Sequence, residues 1–195
     1  MKKSGFTLAE VLITMGIIGV IAALTLPTLS NNAQMQANAA KLASTVSDLE
    51  SAFGAFLLDK DEIDLHNILH ADDFNDTIAP YLKTMGKISS ISSVYESNSP
   101  FKNSSGNTYS FGADGILMTK SGAIVFLEDD PTESNGDANG SVDTYYGDLH
   151  IDVNGSTKPN RIGKDLFSFH LGTDGNLYPM GNETKNLVKN GYKVK

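Results

Sequence analysis

The stretch from Phe6 to Leu26 is FTLAEVLITMGIIGVIAALTL, and Glu10 is the only charged residue in it. In a helix that rises about 1.5 Å per residue, about 20 apolar residues cross a hydrocarbon core of about 30 Å. Lys2 and Lys3 precede the stretch, so the positive-inside rule places that end in the cytoplasm and the chain after Pro27 outside. The sequence therefore predicts a single-pass membrane anchor with its N-terminus in the cytoplasm.

A cleavable secretory signal peptide is the alternative for this segment. The apolar core of such a peptide spans about 7 to 15 residues and ends at an A-x-A-like site. Here the apolar run is longer, and the match Ala37-Asn38-Ala39 lies well past Pro27. A charge inside an apolar membrane segment is also costly and usually functional, so Glu10 favours a segment that the protein retains.

The composition predicts one modest globular body attached to this anchor. The chain has 195 residues, 40% of them hydrophobic, which fits one domain with an appendage. Its 15 basic and 23 acidic residues give a net charge of -8, the wrong sign for a protein that binds nucleic acid through its phosphates. The chain contains no cysteine, which excludes disulfides, thiolate metal sites and cysteine nucleophiles.

The N-terminal sequence resembles that of a known protein family. Lys2-Lys3-Ser4-Gly5-Phe6-Thr7-Leu8-Ala9-Glu10, followed by Val11-Leu12-Ile13 and the apolar run to Pro27, is similar to the N-terminus of type IV pilins and type II secretion pseudopilins. The resemblance implies that a prepilin peptidase cuts between Gly5 and Phe6, and that the new N-terminal residue, Phe6, is methylated. The membrane segment then remains on the mature protein.

Glu10 is the candidate assembly residue. Cleavage leaves a positive amine on Phe6, one helical turn from the Glu10 carboxylate on the same helix face. The resemblance implies that this carboxylate pairs with the N-terminal amine of a neighbouring subunit as the chain enters a filament. The alternative is that Glu10 only reaches the lipid headgroups, because it lies one turn inside the membrane segment.

The resemblance also implies the partners and the location of the protein. The partners are the prepilin peptidase, other pilin or pseudopilin subunits, an inner-membrane assembly platform and, before assembly, membrane lipid. The protein is expected in the bacterial inner membrane, with its globular part outside, and then in a periplasmic or surface filament. No nucleic-acid partner is expected.

The predicted function is that of a structural subunit of a type II secretion pseudopilus. The alternatives are a minor type IV pilin for adhesion, motility or DNA uptake, and a membrane-anchored binding module that does not polymerise. Glu10 favours the two filament roles, because a simple anchor has no need of a carboxylate in lipid. The sequence has no phosphate-binding loop, nucleophile elbow or histidine-based catalytic pattern, so no enzyme activity is expected.

The predicted fold is α+β and pilin-like, with a long N-terminal helix packed against an antiparallel β-sheet. Residues 1–5 form the leader and 6–27 the transmembrane helix, which Pro27 is expected to kink or end. Over 28–59, apolar residues at steps of three and four predict an amphipathic helix whose second half lies under a sheet. This apolar stripe includes Met35, Ala39, Leu42, Val46, Leu49 and Phe53.

The rest of the chain is divided into two predicted regions. Residues 60–106 are predicted to form short helices, over 61–70 and over 73–85 with an interruption at Pro80, and then a loop. Residues 107–195 are predicted to form an antiparallel β region with strands at 107–111, 116–119, 123–127, 149–153, 166–171 and 176–178. Asp114-Gly115 predicts a hairpin turn between the first two strands.

The acidic loop 128–148 is the candidate metal site. It contains no Lys or Arg, so its carboxylates repel one another. Its oxygen-bearing residues follow the spacing of an EF-hand-like calcium loop, and these are Asn135, Asp137, Asn139, Ser141 and Asp143. Tyr146 stands where such a loop needs a bidentate carboxylate, so the alternative is a solvated acidic loop. Calcium is the one cofactor that the sequence suggests.

A second loop has a distinctive composition. Asp152-Val153-Asn154-Gly155 is followed by Lys158-Pro159-Asn160, Gly163, Asp165 and Phe167, a pattern that resembles a signature loop of certain pseudopilin-like proteins. Asn, Asp, Gly and Pro are the residue types that turns prefer. We interpret this pattern as turn chemistry and assign it no catalytic role.

Overall fold

The structure, a computed structural model, describes residues 5–65, 68–70, 73–82, 84–88, 90–95, 100–128 and 145–194. It begins with one long helix, α1 (Leu8–Lys60), which has 53 residues. The shorter helices are α2 (Phe74–Ile78) and α3 (Gly181–Lys189), and a 3₁₀ turn covers Ile91–Ser93.

Helix α1 continues through Pro27. Of the two outcomes expected at this proline, an end of the helix is therefore wrong, and a bend there stays a prediction. The helix ends where Asp61 adopts the left-handed conformation, with φ 55°, and donates its backbone N–H to the carbonyl of Leu57. The membrane-type segment and the amphipathic segment are thus parts of one helix.

The described strands form two antiparallel sheets. In chain order they are β1 (Thr84–Lys87), β2 (Phe101–Lys102), β3 (Thr108–Tyr109), β4 (Gly115–Thr119), β5 (Ile124–Glu128), β6 (Tyr145–Asp152), β7 (Leu166–Gly172) and β8 (Leu177–Pro179). The larger sheet has the order β1-β4-β5-β6-β7-β8, and β2 pairs with β3 in the smaller one. Strands β4 to β8 form the meander that the sequence predicts.

The second half of α1 packs on one face of the larger sheet. Leu42, Leu49 and Phe53 are fully buried, and they share one apolar cluster with Val125 of β5 and Phe169 of β7. Burying each such side chain contributes about 1.5 to 3 kcal/mol. The predicted α+β fold, with a long helix on an antiparallel sheet, is confirmed.

The other face of the larger sheet is covered as well. Tyr95 and Phe101 pack there with Ile124 and Phe126 of β5, and the ring centroids of Phe101 and Phe126 are 5.7 Å apart. Because both faces are covered, four consecutive residues of β5 are buried. Strands that are buried on both faces lose the alternation of polar and apolar residues.

The hairpin predicted at Asp114-Gly115 is wrong. Strand β3 pairs with β2, whereas β4 pairs with β1 and β5, so residues 110–114 cross from the smaller sheet to the larger one. Gly115 lies inside β4, where a Cβ atom would collide with the ring of Phe74. Close packing, and not a turn, therefore requires this glycine.

The prediction of helix over 73–85 is also wrong in its second half. Helix α2 ends at Ile78, and β1 then pairs with β4. Pro80 lacks the N–H that a longer helix needs, and β1 supplies hydrogen-bond partners to an otherwise open edge of β4. The helix predicted over 61–70 falls partly outside the described residues, and the described part is a turn in which Leu65 and Leu69 are buried.

Helix α3 lies within the region predicted as β structure, so that prediction is wrong for its residues. Its N-cap position is Met180, which makes no side-chain cap hydrogen bond, and the usual signal for a helix start is absent. Tertiary contacts hold it instead. Thr184 is buried and accepts a hydrogen bond from the backbone N–H of Ser168 at 3.4 Å, and Leu187 packs against the main core.

Candidate functional site

Thr7 and Glu10 cap the first turn of α1 reciprocally. The backbone N–H and the hydroxyl of Thr7 donate to Glu10 Oε2 at 2.8 and 2.9 Å. In return, the backbone N–H of Glu10 donates to Thr7 Oγ1 at 3.3 Å. This capping box satisfies N–H groups that the first helical turn leaves without partners. The predicted assembly residue therefore also has a local role in starting the helix.

The predicted cleavage bond lies just outside this helix. Gly5 and Phe6 precede the first helical residue and are exposed, so a peptidase can reach the bond between them without unwinding α1. Since α1 begins only at Leu8, Phe6 is not part of the helix in the described chain. The expectation that Phe6 lies one helical turn from Glu10 on the same face is therefore not met there.

The first half of α1 presents an exposed apolar surface. Its most apolar window of 18 residues is 0% buried, and the helix is long and apolar enough to cross a membrane. The hydroxyls of Thr14 and Thr25 donate to the carbonyls of Glu10 and Ile21, each at 2.9 Å. These hydrogen bonds remove most of the free-energy cost of placing the two hydroxyls in lipid. A surface of this kind needs lipid or another protein to cover it.

Polar contacts tie the second half of α1 to the globular body. Asn38 Nδ2 donates to the carbonyl of Lys164 at 2.9 Å, in the loop before β7. Glu50 Oε1 accepts the backbone N–H of Leu177, in β8, at 3.1 Å. Together with the apolar stripe, these contacts hold the body on the same helix that carries the apolar surface.

Two carboxylates are buried where β6 ends and β7 begins. Asp152 and Asp165 are both 0% exposed. The hydroxyl of Tyr95 donates to Asp152 Oδ2 at 2.7 Å, and the backbone N–H groups of Asn160 and Arg161 donate to Asp165 at 2.8 and 2.6 Å. Burial raises the pKa of Asp152 to about 7 and also raises the pKa of Asp165. The loop from Asp152 to Phe167, whose composition predicts only turns, therefore contains two buried carboxyl groups.

His150 is the centre of another polar cluster on the larger sheet. Its Nδ1 lies 2.8 Å from Ser168 Oγ, and its Nε2 lies 3.3 Å from Glu128 Oε2. The hydrogen bond from His150 is the main cause that lowers the pKa of Glu128. Hydroxyl, imidazole and carboxylate in contact have the composition of a nucleophilic site. However, His150 is 1% exposed and stacks under Phe111 at 4.0 Å, so the cluster is part of the packed interior.

The calcium ligands predicted in the acidic loop lie outside the described residues, and that site stays a prediction. They are Asn135, Asp137, Asn139, Ser141 and Asp143. Within the part of the chain that the structure describes, no group of three or more His, Cys, Asp and Glu side chains could hold a metal ion.

Comparison with known proteins bears on the N-terminus. Residues 1–26 match a family described as the prokaryotic N-terminal methylation motif, which is the prepilin-cleavage motif of type IV pilins and pseudopilins. No curated protein and no solved structure matches the chain significantly. The motif implies processing by a prepilin peptidase and assembly with other pilin subunits. With the apolar helix, it is consistent with anchoring in the inner membrane. The chain therefore carries at its N-terminus the methylation motif of type IV pilin-like proteins.

Proposed function

We propose that the chain is a structural, non-enzymatic subunit of a type II secretion pseudopilus. The observation that carries the proposal is the combination of three features on α1. The helix has the methylation motif at its start, an exposed apolar surface on its first half and the globular body on its second half. The apolar surface would hold the subunit in the inner membrane, with the N-terminus in the cytoplasm, and would later pack among neighbouring subunits.

Glu10 would guide this assembly. Both hydrogen bonds that its carboxylate accepts from Thr7 reach Oε2, which leaves Oε1 for the N-terminal amine of a neighbouring subunit. Prepilin peptidase would create that amine at Phe6. An ion pair of this kind is strong in a low-dielectric environment, so a free subunit with an unpaired carboxylate would gain a partner by entering the filament.

A minor type IV pilin and an anchored module that does not polymerise remain the competing functions. The absence of cysteine favours the pseudopilus over those pilins that depend on a disulfide. Glu10 disfavours the anchored module, because a charge in a membrane segment is usually retained for a function.

Deletion of the gene in its native cell, with complementation by variants, tests the proposal. We expect the release of secreted proteins to be lost, and to be restored by the wild-type chain and by Thr14→Ala but not by Glu10→Ala. Loss of pili, motility or DNA uptake with normal secretion would assign a minor pilin instead. Normal secretion and normal pili, without crosslinks to other pilin-like subunits, would assign a module that does not polymerise.

A further inference from the structure

Two exposed lysines lie at the end of the globular body that is nearest the apolar half of α1. They are Lys164, in the loop before β7, and Lys193, which follows α3, and we call this surface the basic end. Both lysines line one hollow together with Met35 of α1. The carbonyl of Lys164 also accepts a hydrogen bond from Asn38 Nδ2 at 2.9 Å. These contacts fix the basic end at the level of residues 35–38 on α1.

This level lies just beyond the apolar stretch of α1, which ends at Leu26. Met35 follows Pro27 by eight residues, which is about 12 Å along a helix. The headgroup region adds about 5 to 7 Å to each side of a hydrocarbon core, and charges act over about 8 Å at physiological ionic strength. In a chain anchored through its apolar stretch, the basic end is therefore within electrostatic reach of the headgroups.

Charge is distributed unevenly along the sequence, in a way that favours this contact. The last 43 residues, 153–195, contain seven of the 15 basic residues but only three of the 23 acidic ones. Helix α1 has no acidic residue between Glu10 and Asp48. The parts of the chain that form the basic end are thus poor in acid, although the whole protein has a net charge of -8.

Few carboxylates oppose the two lysines at this surface. Glu183 is exposed and lines the same hollow. Asp152 and Asp165 are fully buried, and burial raises the pKa of both carboxyl groups. Among the described residues the ion pairs involve histidine, so neither lysine is paired with a described carboxylate. The basic end therefore presents net positive charge.

The acidic loop leaves the sheet at the other end of the body. Strand β7 begins near Asn38, and the turn that follows it rests on Phe53, so β7 runs along α1 away from the apolar half. Tyr145, where the described chain resumes after the acidic loop, pairs with Gly172 at the far end of β7. The body is therefore basic next to the apolar half of α1, and its acidic loop joins the sheet far from it.

We propose that the basic end docks the globular body on the anionic phospholipid headgroups of the membrane that holds α1. The ammonium groups of Lys164 and Lys193 would bind headgroup phosphates, for which lysine acts as a point charge. Each lysine close to an anionic surface favours such docking about fivefold. The proposal rests on the membrane anchoring in the proposed function, and it does not depend on the type of filament.

A second copy of the chain is the competing occupant of this surface. Its acidic loop could meet the basic end only after two subunits have associated. Headgroups, in contrast, lie beside the basic end of every anchored subunit, because both are positioned by the same helix. The position of the two lysines on α1 therefore favours lipid.

The test measures the reactivity of lysine amines in the full chain, with one chain per lipid nanodisc. Acetylation by an uncharged reagent, followed by mass spectrometry, gives a rate for each lysine. We expect Lys164 and Lys193 to react several-fold more slowly in phosphatidylglycerol discs than in phosphatidylcholine discs. High salt should remove the difference, because it screens the charges. Lys60, which is exposed at the far end of α1, should react equally in both lipids.

Single variants use each lysine of the basic end to report on the other. Lys164→Gln should weaken docking about fivefold and so reduce the protection of Lys193, and Lys193→Gln should do the same to Lys164. Lys120→Gln is the matched control, since Lys120 is exposed but lies near Asp48, about 20 Å further along α1 than Met35. It should leave both rates unchanged.

Four results would overturn the proposal. Equal rates in the two lipids would show that the basic end does not dock, and a chain that leaves the discs would also refute the anchor in the proposed function. Slow reaction only in discs that hold two chains would assign the surface to a second copy. Slow reaction in phosphatidylcholine discs after addition of inorganic phosphate would assign a site for free phosphate instead.

Discussion

Glu10 is the only charged residue in the apolar stretch from Phe6 to Leu26, and hydrocarbon would offer its carboxylate no counter-ion. We expect Glu10→Ala to insert into the membrane as well as the wild-type chain does, because the change removes a charge from an apolar segment. Incorporation into filaments should fall about tenfold or more, since a hydrogen bond to a charged group contributes about 1.5 to 3 kcal/mol. Crosslinking to neighbouring subunits and recovery in sheared filaments measure incorporation.

Thr14→Ala is the matched control for this variant. Thr14 lies one turn further along α1, and its hydroxyl is satisfied by carbonyls of its own helix. Its loss should leave both insertion and incorporation unchanged. Normal incorporation of Glu10→Ala would show that the carboxylate is not the docking group.

The bond between Gly5 and Phe6 is the second feature to test at the scale of single residues. Because this bond precedes the helix, we expect the membrane-extracted protein to begin at Phe6 and to carry a methyl group on its amine. Intact-mass measurement and sequencing of the N-terminal peptide check both points. Gly5→Leu should retain the leader, and a wild-type chain that starts at Met1 or after Ala39 would refute the prediction.

At the scale of elements, the turn between β7 and β8 rests directly on α1. Gly175 in this turn has φ +81°, and an added Cβ would lie 2.9 Å from Phe53 Cβ. We expect Gly175→Ala to destabilise the fold by about 2 to 4 kcal/mol, from the strained backbone together with crowding. Gly122→Ala is the control, because Gly122 has φ +80° and no atom within 4 Å of an added Cβ.

Gly122→Ala should lower the free energy of unfolding only by the cost of the strained backbone, about 1 to 2 kcal/mol. Denaturant unfolding of both variants gives the two free energies of unfolding. Equal losses would mean that the turn does not press on α1 and would contradict the packing described above.

The elements that the sequence predicts well are those whose signal is local and periodic. Leu42, Leu49 and Phe53 follow the helical repeat closely, and all are fully buried on one face of α1. Short apolar runs between turn residues likewise predict the strands β4 to β8. Pattern and structure agree here because a single buried face determines both.

Tertiary contacts decide the features that the sequence does not predict. Asp114-Gly115 is typical of a turn, but Gly115 is needed because the ring of Phe74 leaves no room for a Cβ atom. Helix α3 could not be predicted from its start, because its N-cap residue makes no side-chain hydrogen bond. At the candidate site, the methylation motif is recognisable from the sequence because its residues are contiguous. The two buried carboxylates, Asp152 and Asp165, are not recognisable from the sequence, because their burial depends on Tyr95 and on the second layer over the sheet.

At the scale of the whole molecule, the apolar half of α1 adds nothing to the globular core. Among the residues of α1 whose side chains the structure describes, the first buried one is Asn38. We therefore expect a chain that starts at Thr28 to fold in water and to unfold at nearly the same temperature as the full chain in detergent. Circular dichroism during heating measures both midpoints.

A chain that starts at Ala43 is the control for this truncation. It lacks Leu42, which is 0% exposed, and should be less stable by at least the about 2 to 5 kcal/mol typical of removing a buried leucine side chain. A low midpoint already for the chain that starts at Thr28 would show that the apolar half supports the body after all.

The continuity of α1 has a mechanical consequence. At about 1.5 Å per residue, a helix of 53 residues is a strut about 80 Å long. No loop separates its exposed apolar end from the part of the helix to which the sheet is fastened through Asn38 and Glu50. A force that lifts or turns the body is therefore transmitted directly to the exposed apolar end of α1, without first unfolding a linker.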